Sequence, residues 1–191
     1  MYTEEWVEKL YRGFKRNSTI PFEFICFTDR ERDFKEPITQ ERLDTPIDYS
    51  ALLQPLKLDR PTIICGLDTM IVGNVDHLML YTLNNGLHAF PRDPFFPHTI
   101  CNGVVLAPKH NLQLWQLWEK KQKHYHNYSR DMDFLRSLKA RVVMDDLWPG
   151  DVVSYKGHVK DYGLDGVKIV YFHGEQKPHE INEPWIEENW V

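Results

Sequence analysis

Asp68, His173 and Lys177 bring a carboxylate, an imidazole and an ammonium, and Asp68 and His173 each stand just after an apolar run. A carboxylate directly past a buried strand is positioned to hold a divalent cation. Carboxylate oxygen with imidazole nitrogen suits Mn2+, with Mg2+ as an alternative. Gly174 follows the histidine, where backbone without a Cβ can approach a ligand closely. Lys177 comes four residues after His173, and Pro178 stiffens the segment. A metal-binding imidazole with a nearby ammonium forms a natural receptor for a metal-bound diphosphate. The same residues fit plainer roles: a turn or helix-cap aspartate and a hydrogen-bonded histidine at a strand end. Composition and spacing do not separate these readings.

The elements that must position these residues follow from apolar periodicity. Residues 3–16 predict a helix, with Trp6, Val7, Leu10, Tyr11 and Phe14 on one arc and Thr3 as N-cap. Acidic residues open it and basic residues close it, as the helix dipole favours. Residues 22–27 and 61–65 read as buried strands, nearly continuous in apolar residues. Residues 28–60 are charged and carry prolines, which predicts a long loop with one helical turn. Further strands are expected near 70–72, 87–90, 100–106, 141–143, 151–155 and 167–172. Helices are expected from about Val75, over 109–124 and over 131–139. The tail, 179–191, carries two tryptophans and should pack. Strands alternating with helices predict an α/β fold. The expectation is one domain, 1–191, with a mostly parallel central sheet flanked by helices. In such sheets ligands sit beyond the carboxyl ends of the strands. That singles out Thr28-Asp29, Gly66 to Thr69, and His173 to Lys177.

Composition narrows the class of protein. The chain has 191 residues, 42% hydrophobic and 27% charged, with a net charge of −5, ordinary for a folded soluble protein. No basic stripe marks a nucleic-acid surface. Cys26, Cys65 and Cys101 each sit in an apolar run and read as small buried hydrophobes. Their odd number and wide spacing argue against a disulfide framework or a zinc site. No apolar stretch is long enough to span a membrane. The opening stretch is charged and amphipathic, and the expectation is a cytoplasmic protein. The N-x-Ser/Thr triplets at Asn17 and Asn127 read as chance matches.

His173-Gly174-Glu175-Gln176-Lys177-Pro178 resembles the C-terminal H-x-G-x-x-K-P-W type of motif of glycogenin-like and lipopolysaccharide glycosyltransferases, one residue shorter before the glycine. Gly66-Leu67-Asp68-Thr69-Met70-Ile71-Val72-Gly73-Asn74 resembles their D-x-D segment. Trp6 to Gly13 and Phe24 to Asp29 are similar to the opening helix and second strand of a bacterial and phage glycosyltransferase-like group, where Val152-Val153-Ser154-Tyr155-Lys156 also recurs. The likeness spans almost the whole chain in matching order. It implies a small A-type-fold glycosyltransferase of the hexosyltransferase kind, moving a sugar from a nucleotide sugar, UDP-linked by resemblance, to an acceptor. Asp68 and His173 would hold the metal, and Gly174 and Lys177 the diphosphate. Thr28 and Asp29 would lie toward the nucleotide. Asn102, in Cys101-Asn102-Gly103-Val104, would contact donor sugar or acceptor. Asp131, in a segment resembling the family's D-Q-D, would lie near the transferred sugar; it shares a helical face with Leu135 and Leu138, and Asp133 does not. Arg92 and Asp93 are candidates of the same kind.

Three departures stand against the pattern. Gly66 occupies the first D-x-D position, Met132 replaces the glutamine of D-Q-D, and the family's first strand, whose end binds the base, is missing ahead of the opening helix. The alternative they suggest is a degenerate glycosyltransferase fold that binds sugar or protein without turnover. A Mn2+-dependent nucleotide-sugar hydrolase ranks lower, because no dedicated water-activating pair is evident.

Overall fold

The computed structural model describes residues 2–44, 49–84, 86–124 and 130–191; the Asn127 triplet lies outside them. Helix α1 (Glu4–Asn17) leads into strand β1 (Phe24–Thr28) and then β2 (Ile38–Arg42). Two 3-10 turns, Tyr49–Leu52 and Gln54–Leu58, precede β3 (Thr62–Cys65) and β4 (Thr69–Ile71). Next come α2 (Asp76–Asn84), β5 (Ala89–Phe90), β6 (Val104–Ala107), α3 (Asn111–His124) and α4 (Asp131–Arg136). Then follow β7 (Val142–Val143), α5 (Met144–Leu147) and β8 (Val152–Ser154). A π-helical turn, Tyr155–Val159, runs into α6 (Lys160–Tyr162), and β9 (Ile169–Tyr171) and α7 (Pro184–Asn189) end the order.

The architecture is α/β, but the sheet differs from expectation. The strands form a β1-β2 pair, a four-stranded sheet β3-β6-β5-β7 and a three-stranded sheet β4-β9-β8. The β1·β2, β5·β7 and β8·β9 ladders are parallel, whereas β3·β6, β5·β6 and β4·β9 are antiparallel. The sheets are mixed rather than mostly parallel. The physical reason is that burial on both faces removes the apolar–polar alternation, whatever the strand direction. All four residues of β6, Val-Val-Leu-Ala, are buried, and nothing in them records that both neighbours, β3 and β5, run antiparallel to it. β2 was hidden for the opposite reason. Its residues are almost all exposed, so the segment carries neither an apolar run nor a two-residue alternation.

α1 buries Val7, Leu10, Tyr11 and Phe14 and lies against β4 through Gly13. A Cβ there would meet Ile71 at 3.4 Å, so the glycine sets how closely helix and strand approach. Thr3 takes the extended N-cap conformation but makes no side-chain cap bond. The side-chain amide of Asn17 donates to the carbonyls of Gly13 and Ile71 at 2.9 and 3.1 Å, closing the helix onto the strand. The tail does pack. Trp190 sits edge-on to Trp6 with centroids 4.6 Å apart, and Ile186 is buried among Val153, Val170 and Phe172. Among the described residues no helix is long and apolar enough to cross a membrane.

Candidate functional site

The ladder between β4 and β9 brings the two halves of the site together. Thr69 pairs with Tyr171, and one step outward the Phe172 N–H donates to the Asp68 carbonyl at 2.9 Å. Asp68 and His173 therefore leave the same end of one antiparallel pair, although they are far apart in sequence. Lys177 folds back across this end. Its ammonium forms an ion pair with Asp68 Oδ2 and donates to the Phe172 carbonyl at 3.1 Å. Gln176 adopts a positive φ of 63° to make that return. The Lys177 N–H donates to the Glu180 carboxylate at 2.7 Å, and buried Pro178 anchors the segment. From the other side, the Tyr2 hydroxyl donates to Asp68 Oδ2 at 3.1 Å. Burial and the nearby Asp68 charge both raise the Tyr2 pKa.

His173 is half-buried. Its Nε2 lies 2.8 Å from Ser154 Oγ, and its ring meets Phe95 edge-on at 5.3 Å. Burial, then the charge of Lys156, lowers its pKa. The ring is thereby held toward the neutral form that can ligate a metal. Gly174 has φ +66, and a Cβ there would lie 3.5 Å from Lys156 Nζ. Backbone, histidine and the Lys156 ammonium thus crowd one corner. Lys156 takes part in none of the ion pairs among the described residues. A cation with no carboxylate partner is a ready partner for a phosphate.

The remaining predicted residues fall into two groups. Thr28 and Asp29 end β1 and are tied to α1 through Arg32, which donates to Thr28 Oγ1 at 3.0 Å, Asp29 Oδ1 at 3.0 Å and Glu4 Oε1 at 3.1 Å. The hydrogen bond from Arg32 holds the Asp29 carboxyl below its usual range. Tyr2, just before α1, and Glu4, in its first turn, therefore join the Asp68 side of β3 to the Thr28 end of β1. Asn102 and Asp131 meet directly, the Asn102 amide donating to Asp131 Oδ2. Asp131 is 2% exposed, and Asp133 is exposed, as the helical face suggested. Burial raises the Asp131 pKa. Gly103 has a packing reason of its own: a Cβ there would lie 2.6 Å from the Tyr171 ring. Asp93 and Arg92 hold the loop over 92–100. Asp93 accepts the Phe95 and Phe96 N–H groups, each at 2.9 Å, and pairs with Arg136 at 2.6 Å. Arg92 donates to the Pro97 carbonyl at 3.0 Å and pairs with Asp146. These are structural contacts.

Among the described residues there is no group of three metal-ligating side chains. Asp68 and His173 offer one oxygen and one nitrogen, a set that fits a Mn2+-type cation only if phosphate oxygens and water complete the shell. The Lys177 ammonium now supplies the positive charge at Asp68. Gly66 sets the carboxylate's direction, because a Cβ there would lie 2.7 Å from Asp68 Oδ1.

No protein-family model and no curated protein matches the chain.

The site's chemistry thus stands on its own residues. Sequence reasoning missed Tyr2, and it noted Ser154 and Lys156 only within the Val152 to Lys156 stretch, giving neither a role at the site. Tyr2 and Ser154 reach the site by tertiary packing, through α1 and the β8·β9 ladder. Lys156 could have been found from its place two residues past an apolar strand, the position that singled out Thr28-Asp29.

Proposed function

We propose that this chain is a metal-dependent glycosyltransferase using a nucleotide sugar, with the donor diphosphate seated between Asp68, His173, Gly174 and Lys177. One observation carries the reading. A carboxylate, an imidazole, two ammonium groups and a glycine of positive φ gather at one end of the β4·β9 pair. This matches what a metal-bound diphosphate requires and exceeds what a turn aspartate needs.

A cation held by Asp68 and His173 would supply Lewis-acid charge to the departing nucleoside diphosphate. Lys177, paired with Asp68 in the structure, would turn to a phosphate oxygen of the donor, and Asp68 with His173 would hold the cation. Lys156 neutralises a second phosphate charge, with the Gly174 backbone close by. Ser154 orients the His173 ring. Asn102 fixes the Asp131 carboxyl, which lies toward the sugar side in the family pattern. The mixed sheet takes the place of the mostly parallel one in this scheme, and Thr28-Asp29 faces the nucleotide from across α1. The acceptor is a glycan, protein or other hydroxyl-bearing molecule.

Titrating UDP, GDP and uridine calorimetrically with and without Mn2+ tests the reading. UDP is expected to bind with Mn2+, uridine only weakly, and Asp68→Ala to lose the metal-dependent part. Equal binding of UDP by parent and Asp68→Ala would remove Asp68 from the site. A second reading, a degenerate fold that binds without turnover, is favoured by Gly66 and by Asp68 being satisfied within the chain by Lys177. Donor hydrolysis across UDP-, GDP- and CDP-sugars separates the two, and a complete absence of turnover with binding retained selects the second.

A further inference from the structure

The three most exposed large apolar side chains among the described residues are aromatic: Phe95 at 56%, Phe96 at 64% and Tyr162 at 75%. They lie on two neighbouring segments. Phe95 and Phe96 belong to the loop over 92–100, and Tyr162 closes α6 behind the π-helical turn Tyr155–Val159. Loop and turn touch, since a Cβ on Gly157 would run into the Pro94 ring. Phe95 meets His173 edge-on at 5.3 Å. Lys156, in the turn, places its ammonium 3.5 Å from where Gly174 would carry a Cβ. The phenylalanine pair therefore borders the corner assigned above to the donor diphosphate.

Two adjacent phenylalanines ordinarily turn inward, because apolar surface leaves water favourably. This loop is pinned so that they do not. Asp93, itself buried, accepts the Phe95 and Phe96 N–H groups at 2.9 Å each and pairs with Arg136 at 2.6 Å. Thr99 donates its N–H to the Phe96 carbonyl at 2.9 Å, and Arg92 donates to the Pro97 carbonyl at 3.0 Å. Ile100 anchors the far end in the core. The backbone is thus fixed on both sides of the pair, and the rings stay in solvent. An exposed aromatic patch held in place at the rim of a site marks a binding surface.

We propose that Phe95 and Phe96 form the platform on which the acceptor docks, and that the acceptor is a glycan stacking the apolar face of a pyranose ring on them. The proposal rests on the donor reading above and adds the class of acceptor to it. A pyranose is amphipathic: its C–H bonds gather on a face, and its hydroxyls ring the edge. C–H groups polarised by neighbouring oxygens meet the negative face of an aromatic ring favourably. Open, exposed rings cover that face and leave the hydroxyls in water, so no polar group has to be buried unpaired. A sugar seated on Phe95 also stands beside His173, where an acceptor hydroxyl has to arrive. A lipid surface is the competing occupant of an exposed aromatic tip. The contact between Phe95 and His173 favours the sugar, because a side chain that walls the donor corner is not free to leave it for a bilayer.

The test follows ring signals by NMR in protein labelled with 13C at phenylalanine, with Mn2+ and UDP present. Methyl glucoside, methyl galactoside, maltose, cellobiose and lactose are added in turn, with sorbitol, which has hydroxyls but no ring face, as control. At least one of the saccharides is expected to shift the Phe95 and Phe96 signals saturably, and sorbitol is not. Phe96→Leu, which keeps apolar bulk and loses the ring, should weaken that saccharide about 3- to 10-fold. Phe96→Tyr should restore it, and Mn2+-UDP affinity should stay at the parent's value in both variants. The proposal is overturned if no saccharide shifts either ring, if sorbitol acts as the saccharides do, or if Phe96→Leu binds saccharide as tightly as the parent. It is overturned as well if vesicles of phosphatidylcholine and phosphatidylglycerol move the ring signals and saccharides do not, which assigns the tip to a lipid surface. A parent that binds saccharide through Phe96 but fails to bind Mn2+-UDP refutes the donor site alone and leaves the sugar platform standing.

Discussion

The ion pair between Lys177 and Asp68 makes a prediction opposite to the intuitive one. If Asp68 is a metal ligand, Lys177 competes with the metal for its carboxylate. The two side chains are 21% and 20% exposed, so solvent screens the pair only partly. A charge-assisted contact of this burial, with the ammonium also bonded to the Phe172 carbonyl, is worth about 1–2 kcal/mol. Removing the ammonium while keeping the stem, in Lys177→Met, frees that amount for a cation. Mn2+ alone should then bind about 5- to 30-fold more tightly than in the parent, since about 1.4 kcal/mol is tenfold. With UDP present the sign reverses, because the lysine is now missing from the phosphate, and binding should fall about tenfold or more. Mn2+ electron paramagnetic resonance titrations, with and without UDP, read both arms. The reasoning is refuted if Lys177→Met leaves Mn2+ binding unchanged or weaker in the absence of nucleotide. In that case Asp68 serves the lysine and not a metal.

Three other outcomes are expected. Lys156→Met should weaken UDP more than uridine in calorimetry and leave the melting temperature nearly unchanged, since Lys156 is in no ion pair among the described residues; equal loss for both ligands would count against a phosphate role. Gly66→Ala places a methyl 2.7 Å from Asp68 Oδ1, so the carboxylate must turn from Lys177 and Tyr2, costing about 1–3 kcal/mol in denaturant unfolding and weakening Mn2+-UDP; an unaffected variant would mean the carboxylate direction is unimportant. His88 donates from Nε2 to Asn111 Oδ1 at 2.9 Å, and burial lowers its pKa. Its unfolded form therefore takes up a proton first. Stability should fall as pH drops from about 6.5 toward the folded value, by at most about 1.4 kcal/mol per pH unit, and His88→Gln should flatten that slope in pH-dependent melting.

What the sequence revealed depended on whether a residue's role is local. α1 was legible because Val7, Leu10, Tyr11 and Phe14 repeat at helical spacing and its charges suit both ends. β6 and β9 were legible as strands because every residue is buried and apolar, and β1 and β3 because they are nearly continuous in apolar residues. The same burial erased their direction, which is why half of the ladders are antiparallel against expectation. β2 forms because β1 offers it an edge, a cause that lies outside its own Ile-Thr-Gln-Glu-Arg.

The site follows the same division, and it bears on which functional reading is stronger. Asp68 and His173 could be named because each ends an apolar run. What holds each of them could not: Tyr2 comes from the segment just before α1 on one side, Ser154 from the neighbouring strand, and Lys156 from the turn beyond it. These partners act unequally on the two candidate ligands. Ser154 needs only one nitrogen of His173, and burial keeps that ring toward its neutral form. Asp68 is more engaged, since Tyr2 and Lys177 both address Oδ2. Yet neither contact uses Oδ1, which Gly66 leaves room for by lacking a Cβ. A glycine at that position therefore removes one carboxylate from the site and, in the same step, keeps an oxygen of the other open. That argues for reading Gly66 as part of a working one-carboxylate site, and it is why Gly66→Ala weighs more in the choice between enzyme and binding fold than restoring the missing acid would.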